Sequence, residues 1–271
     1  MEMITSIFKG FFQSNDNANQ AQYQTEENIK LQFWFERDNT DEINKKMILI
    51  SQNMNLKSIL LDFKSRSDLT QDFEKYLNYL QNCSSLVELN VSFRNTKLED
   101  SQLQNICLAI ENLKNIKVLK LDIGDNQILQ GEREENIISK MILNLPNIES
   151  LSINFMFVIN SANKITQIIN KVSDVQKIVL LNIVFWAVAL TNSQTTRIGE
   201  SLDKMKNLKH LNLDFKATRI EGSIVNNYFK HIFPSLQNLI SLRVDLRQQG
   251  LFVNKYDLLK IKKLTNVQIL C

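Results

Sequence analysis

A chain of 271 residues with 44% apolar and 23% charged residues can build a sizeable core and lies in the globular range. Its 32 basic against 29 acidic residues leave a net charge of +3 with no basic run, which argues against nucleic acid as a partner. Three cysteines, Cys83, Cys107 and Cys271, are an odd number without metal-ligand spacing, so a reducing compartment is expected, with neither a disulfide framework nor a zinc site.

The first twelve residues, MEMITSIFKGFF, place Ile4, Ile7, Phe8, Phe11 and Phe12 on one side of a prospective helix. Glu2 and the lack of Arg speak against a transit peptide, and no basic region precedes a secretory core. The Asn/Gln-rich QSNDNANQAQYQTEEN that follows reads as a linker. Residues 1–25 are therefore expected either to cap the first strand or to carry Phe8, Phe11 and Phe12 to a partner.

From residue 26 to 271 a repeat dominates. Apolar residues recur at positions 1, 4, 6 and 8 of seven segments: LKSILLDF from Leu56, LVELNVSF from Leu86, IKVLKLDI from Ile116, IESLSINF from Ile148, VQKIVLLN from Val175, LKHLNLDF from Leu208 and LISLRVDL from Leu239. Their starts lie 30, 30, 32, 27, 33 and 31 residues apart. ENIKLQFWF supplies a degenerate first copy through Ile29, Leu31 and Phe33, and VQILC from Val267 begins a last one. Between the segments the apolar period changes from 2 to 3.6, as at Leu103, Ile106, Cys107, Ile110 and Leu113, with Asp68, Asp100 and Ser223 where N-caps are wanted. Each unit reads as a strand followed by a helix.

From within the fifth segment runs IVLLNIVFWAVAL, Ile178 to Leu190, whose only polar residue is Asn182. It is too short to cross a bilayer, and no transmembrane segment is expected. The strand is read as ending at Asn182. The spacing of 33 then implies an inserted apolar loop through Phe185, Trp186, Val188 and Leu190. That loop either presents a binding surface or tucks between helices to complete the core.

The recurrent L-x-x-L-x-L resembles the leucine-rich repeats, in particular the long α/β class to which ribonuclease inhibitor belongs. The resemblance implies an α/β solenoid of about eight units, a horseshoe with a parallel concave sheet and helices on the convex side. Where that class places Asn or Cys, this chain has Lys64, Arg94, Gly124, Met156, Ile183, Lys216 and Arg247. An Asn ladder is therefore not expected there, and position 8, four times Phe, is expected to replace it with a stacked apolar spine.

On this register positions 3, 5 and 7 face outward on the sheet. Position 7 collects Asp62, Asp122, Asp214 and Asp245, a column that would draw a basic partner segment, with Lys120 and Arg243 as diagonal neutralisers. The plainer reading is that Asp is simply a soluble strand-end residue. Val179 and Leu181 would form an apolar concave patch beside Phe185, Trp186 and Val188.

Catalytic chemistry is not indicated. His210 and Asp214 share a face but stand four strand residues apart, roughly 13 Å, and His231 falls on a helix. Gly124 and Gly131 make no phosphate loop, Cys107 sits on an apolar stripe, and the Glu26/Glu27 and Glu134/Glu135 pairs read as solvated. The expectation is a non-enzymatic interaction scaffold binding protein partners in a larger intracellular complex, without cofactor, metal, nucleic acid or small-molecule substrate. The cytoplasm is expected, with the cytoskeleton, cilium and nucleus left open. Family resemblance also allows a regulator of an enzyme or small GTPase, of inhibitor or GTPase-activating type.

Overall fold

The computed structural model describes residues 23–33, 38–130, 136–248 and 256–271. Phe8, Phe11 and Phe12, and with them the choice between cap and partner contact, lie outside the described residues, as do Gly131, Glu134 and Glu135.

Among the described residues, nine strands form one parallel sheet in chain order. They are β1 (Asn28–Gln32), β2 (Ser58–Asp62), β3 (Glu88–Ser92), β4 (Val118–Asp122), β5 (Ser150–Asn154), β6 (Leu180–Val184), β7 (His210–Asp214), β8 (Ser241–Asp245) and β9 (Asn266–Leu270). Each strand buries its second and fourth residues in β2, β3, β5, β6 and β7, the period-2 pattern of a sheet covered on one face. The cover consists of α1 (Thr40–Ile50), α2 (Phe73–Tyr79), α3 (Asp100–Glu111), α4 (Ile137–Leu143), α5 (Ala162–Val172), α6 (Asn192–Asp203) and α7 (Gly222–Asn227), the last continued by helical turns to Ser235. Helix starts are set locally. Asn39 and Glu42 exchange side-chain and backbone hydrogen bonds at 2.9 and 3.0 Å ahead of α1, and Thr191 with Gln194 does the same ahead of α6. Asp100 and Ser223 stand inside their helices, behind Glu99 and Glu221, so the expected caps are one or two residues late.

One register differs from the sequence reading. β6 pairs Leu151 with Leu181, Ser152 with Asn182 and Ile153 with Ile183, so the fifth unit is IVLLNIVF, starting at Ile178 and not Val175. The starts then fall 30, 30, 32, 30, 30 and 31 residues apart, and no insertion exists. An unbroken apolar run satisfies positions 1, 4 and 6 in either frame; only position 8, which must feed the spine, separates them. Leu181, Phe185 and Val188 are consequently core residues, not surface anchors, and Val179 precedes the strand, with its carbonyl accepting from the Lys209 and His210 amides. Leu180, Asn182 and Val184 are the residues that face outward.

The spine is present. Phe33 stacks on Phe63 at 4.8 Å, Phe63 on Phe93 at 5.8 Å, and Phe185 on Phe215 at 5.0 Å. Ile123 and Phe155 continue it through the middle units, both fully buried. It does not act alone. At position 11, the fully buried Asn126 donates to the carbonyls of Phe93, Ile123 and Gly124 and accepts from the amides of Thr96 and Leu98. Thr96 and Thr218 hold the same position and donate to the carbonyls of Phe93 and Phe215.

A second polar ladder runs at the opposite end of the strands. Asn115, Asn147, Asn207 and Asn238 each immediately precede position 1, and their side-chain amides donate to Ser84, Lys114, Gln176 and Lys206 carbonyls at 2.8–3.0 Å. Lys177 fills the place in the shifted fifth unit and reaches the Pro146 carbonyl. Backbone carbonyls of the helix-to-strand loops, which no ladder of strands can satisfy, are thereby paired from one unit to the next. The abundance of Asn, readable as a codon bias, has a structural use at these positions.

Candidate functional site

The expected acidic column is first of all a set of caps. The side-chain oxygens of Asp62, Asp122, Asp214 and Asp245 each accept the amide two residues on, at 2.9–3.1 Å, and Asn154 does the same for Met156. These turns end the strands, and they need an oxygen, not a charge. Asp245 is buried under Arg247, whose guanidinium grips both carboxylate oxygens at 2.6–3.1 Å, so it is not an open contact residue. Burial pushes the Asp122 and Asp214 carboxyls upward. Burial acts in the same direction on Asp245, but the Arg247 bonds and the Arg243 charge outweigh it and hold that carboxyl below its ordinary range. Arg243 is exposed on the open face, while Lys120 pairs with Glu88 at 2.7 Å and not with an Asp.

The middle of the open face is polar. Asn182 donates to Ser152 at 2.7 Å and accepts from Asn212 at 2.6 Å, a chain across β5, β6 and β7. On β6 Asn182 stands between the outward Leu180 and Val184, and the expected patch of Val179 and Leu181 is not formed. His210 lies on this face, His231 is exposed on the helical layer, and Cys107 is fully buried. Burial pushes the Cys83 thiol up to about 11, and its Sγ donates to the Ile50 carbonyl.

The conspicuous surface lies beyond the C-terminal ends of the strands. There each unit turns through a left-handed residue at position 10: Ser65, Asn95, Asp125, Phe157, Ala187, Ala217 and Gln248, with φ from 55° to 69°. The turn keeps the ladder going. Position-10 amides donate to the position-9 carbonyl of the next unit, as Phe157 does to Trp186 at 3.1 Å and Ala187 to Lys216 at 3.0 Å. Small or polar side chains suit this conformation, and a bulky one is an outlier. Phe157 is that outlier, and it is 39% exposed. Its ring meets Trp186 of the next unit at 5.6 Å, and the Lys216 ammonium of the unit after lies 4.2 Å from the Trp186 ring centroid. Ile159, 58% exposed, adjoins them in sequence. Trp186 thus holds a surface place, half-buried, while its expected companions Phe185 and Val188 point inward. Sequence reasoning missed Phe157 and Ile159. The apolar MFVI after IESLSINF carries their signal, but it falls past position 8, where no apolar period says which residues turn outward.

Among the described residues no helix is long and apolar enough to cross a membrane. No protein-family model and no curated protein matches the chain. Solved structures resemble it. One is an internalin from Listeria monocytogenes, 15% identical with a TM-score of 0.38, the match covering 81% of this chain and 69% of that one. Another is the C-terminal domain of tropomodulin from Caenorhabditis elegans, 12% identical with a TM-score of 0.38, covering 74% and 93%. Superpositions this loose carry no argument about function, and the fold rests on the chain's own register. Nine parallel strands in chain order among the described residues, one crossover per unit of about 30 residues and the recurrent L-x-x-L-x-L give the chain the fold of a leucine-rich-repeat solenoid.

Proposed function

We propose that this solenoid is a non-enzymatic protein-interaction module, serving as a subunit of a larger intracellular assembly, and that it engages its partner through the strand-end edge around Phe157, Ile159 and Trp186. The observation that carries the proposal is Phe157. A left-handed backbone under a bulky side chain costs on the order of 1 kcal/mol or more. The other described units meet that position with Ser, Asn, Asp, Ala or Gln. Phe157 packs on Trp186 but stays outside the core with 39% of its surface exposed, and use of that exposed ring accounts for the cost. An aromatic pair held by a rigid repeat is the type of anchor that dominates protein interfaces.

Affinity purification with mass spectrometry tests this, comparing the native chain with the double variant Trp186→Asp, Phe157→Ser. Loss of partners at an unchanged melting temperature is expected, because neither ring belongs to the core. Retention of every partner would remove the edge from consideration. Phe185 is unsuitable for such a test, since it stacks on Phe215 and its loss would unfold the unit.

A further inference from the structure

The charges beside the aromatic pair are not symmetric. One unit before Phe157, position 10 is the exposed Asp125; one unit beyond Trp186, the edge carries Lys216, poised over the indole, and the exposed Arg219. The surface therefore runs from a negative flank, through Phe157, Ile159 and Trp186, to a positive flank. Successive units are spaced by the strand separation, about 4.8 Å, and an extended chain advances about 3.3 Å per residue. From the aromatic pair to Arg219 is one to two units, which an extended segment covers in about two to three residues.

Resting on the edge proposed above as the contact surface, we infer that its ligand is an extended segment of a partner protein with an aromatic or large aliphatic anchor and carboxylates two to three residues to one side. The anchor packs on Phe157 and Trp186. The carboxylates meet the Lys216 ammonium and the Arg219 guanidinium, and Asp125 disfavours the same segment in the opposite direction, where its acidic end would face a like charge. Lys216 serves both parts, because its ammonium completes one face of the indole and still presents donors outward. A nucleic acid or an anionic membrane would use the positive flank alone, with no need for the acidic flank or the apolar centre.

The test is selection of a phage-displayed random nonapeptide library on the full chain, counter-selected on the double charge reversal Lys216→Glu, Arg219→Glu. Both residues are outside the core, so the reversal is expected to leave the melting temperature unchanged. Enrichment of an aromatic or large aliphatic residue with Asp or Glu two to three residues away is expected. The best such peptide should bind at least tenfold more weakly to the reversed variant and to Phe157→Gly, which relieves the left-handed strain and so keeps the fold. Changing its acids to Asn should weaken it similarly. Enrichment of basic residues, of apolar residues without acids, or of nothing beyond the counter-selected background would overturn the inference. If partner capture depends on Trp186 while no acidic peptide is enriched, the surface stands and the ligand chemistry is wrong. If capture is indifferent to Trp186 and Phe157, the parent proposal has failed.

Discussion

At the scale of single residues, the strand-end carboxylates show how a repeated residue type can mislead. Four aspartates in one column look like a charged surface, yet each is fastened to the amide two residues on, and Asn154 performs the same task without charge. Asp122 makes the point testable. Burial raises its carboxyl above the ordinary value, and Asp62, two strands away beyond Ser92, adds a small push the same way. A raised folded value means the native state binds the proton more tightly than the unfolded chain, so stability rises as pH falls through that value and is reduced at neutral pH. Asp122→Asn keeps the cap and removes the buried charge. Thermal denaturation is expected to show a higher melting temperature for the variant at neutral pH, with the advantage vanishing by about pH 3, where the native carboxyl is itself protonated. A lower melting temperature at neutral pH would mean that the charge is needed where it stands.

At the scale of the structural element, polar ladders at both ends of the strands and a stacked spine at position 8 share the task of joining units. Phe63 and Phe93 stack with planes 5° apart, and Asn126 binds two amides and three carbonyls within and between the units they belong to. Removing its side chain takes the acceptor from the buried Thr96 and Leu98 amides, whereas the Phe93 and Gly124 carbonyls keep bonds from Thr96 Oγ1 and the Asn95 amide. Asn126→Ala is expected to cost about 2–4 kcal/mol in denaturant unfolding, at 1–3 kcal/mol for each buried group left unpaired and with partial relaxation. Asn147→Ala, which removes one bond at an exposed site, is expected to cost under about 1 kcal/mol.

At the scale of the molecule, every strand among the described residues pairs only with its sequence neighbours, so cohesion is summed along the solenoid, and β1 and β9 have one neighbour each among those strands. The last unit is the least covered. Val267 on β9 is 42% exposed and Leu259 in the turn before it 82%. Hydrogen exchange read by mass spectrometry is expected to be slowest in β3 to β7 and fastest in β9, with protection graded toward that end. Equal protection of all nine strands would indicate a single cooperative unit instead.

The alternation of apolar residues determined the units, the parallel sheet, the side on which helices lie and six of the seven main strand registers, because positions 4, 6 and 8 have only one way to face a core. The sequence alone could not settle the fifth unit. In IVLLNIVF the apolar run satisfies two frames, and the choice depends on Phe185 reaching Phe215 in the neighbouring unit, a contact 30 residues away. The candidate site was half legible for the same reason. Trp186 stood out as a large aromatic in an apolar run, whereas Phe157 became visible only when the backbone showed that its unit turns through a left-handed residue there. Burial patterns are local and periodic, so they are written into the chain; which loop residues meet across units, and at what strain, is decided by stacking.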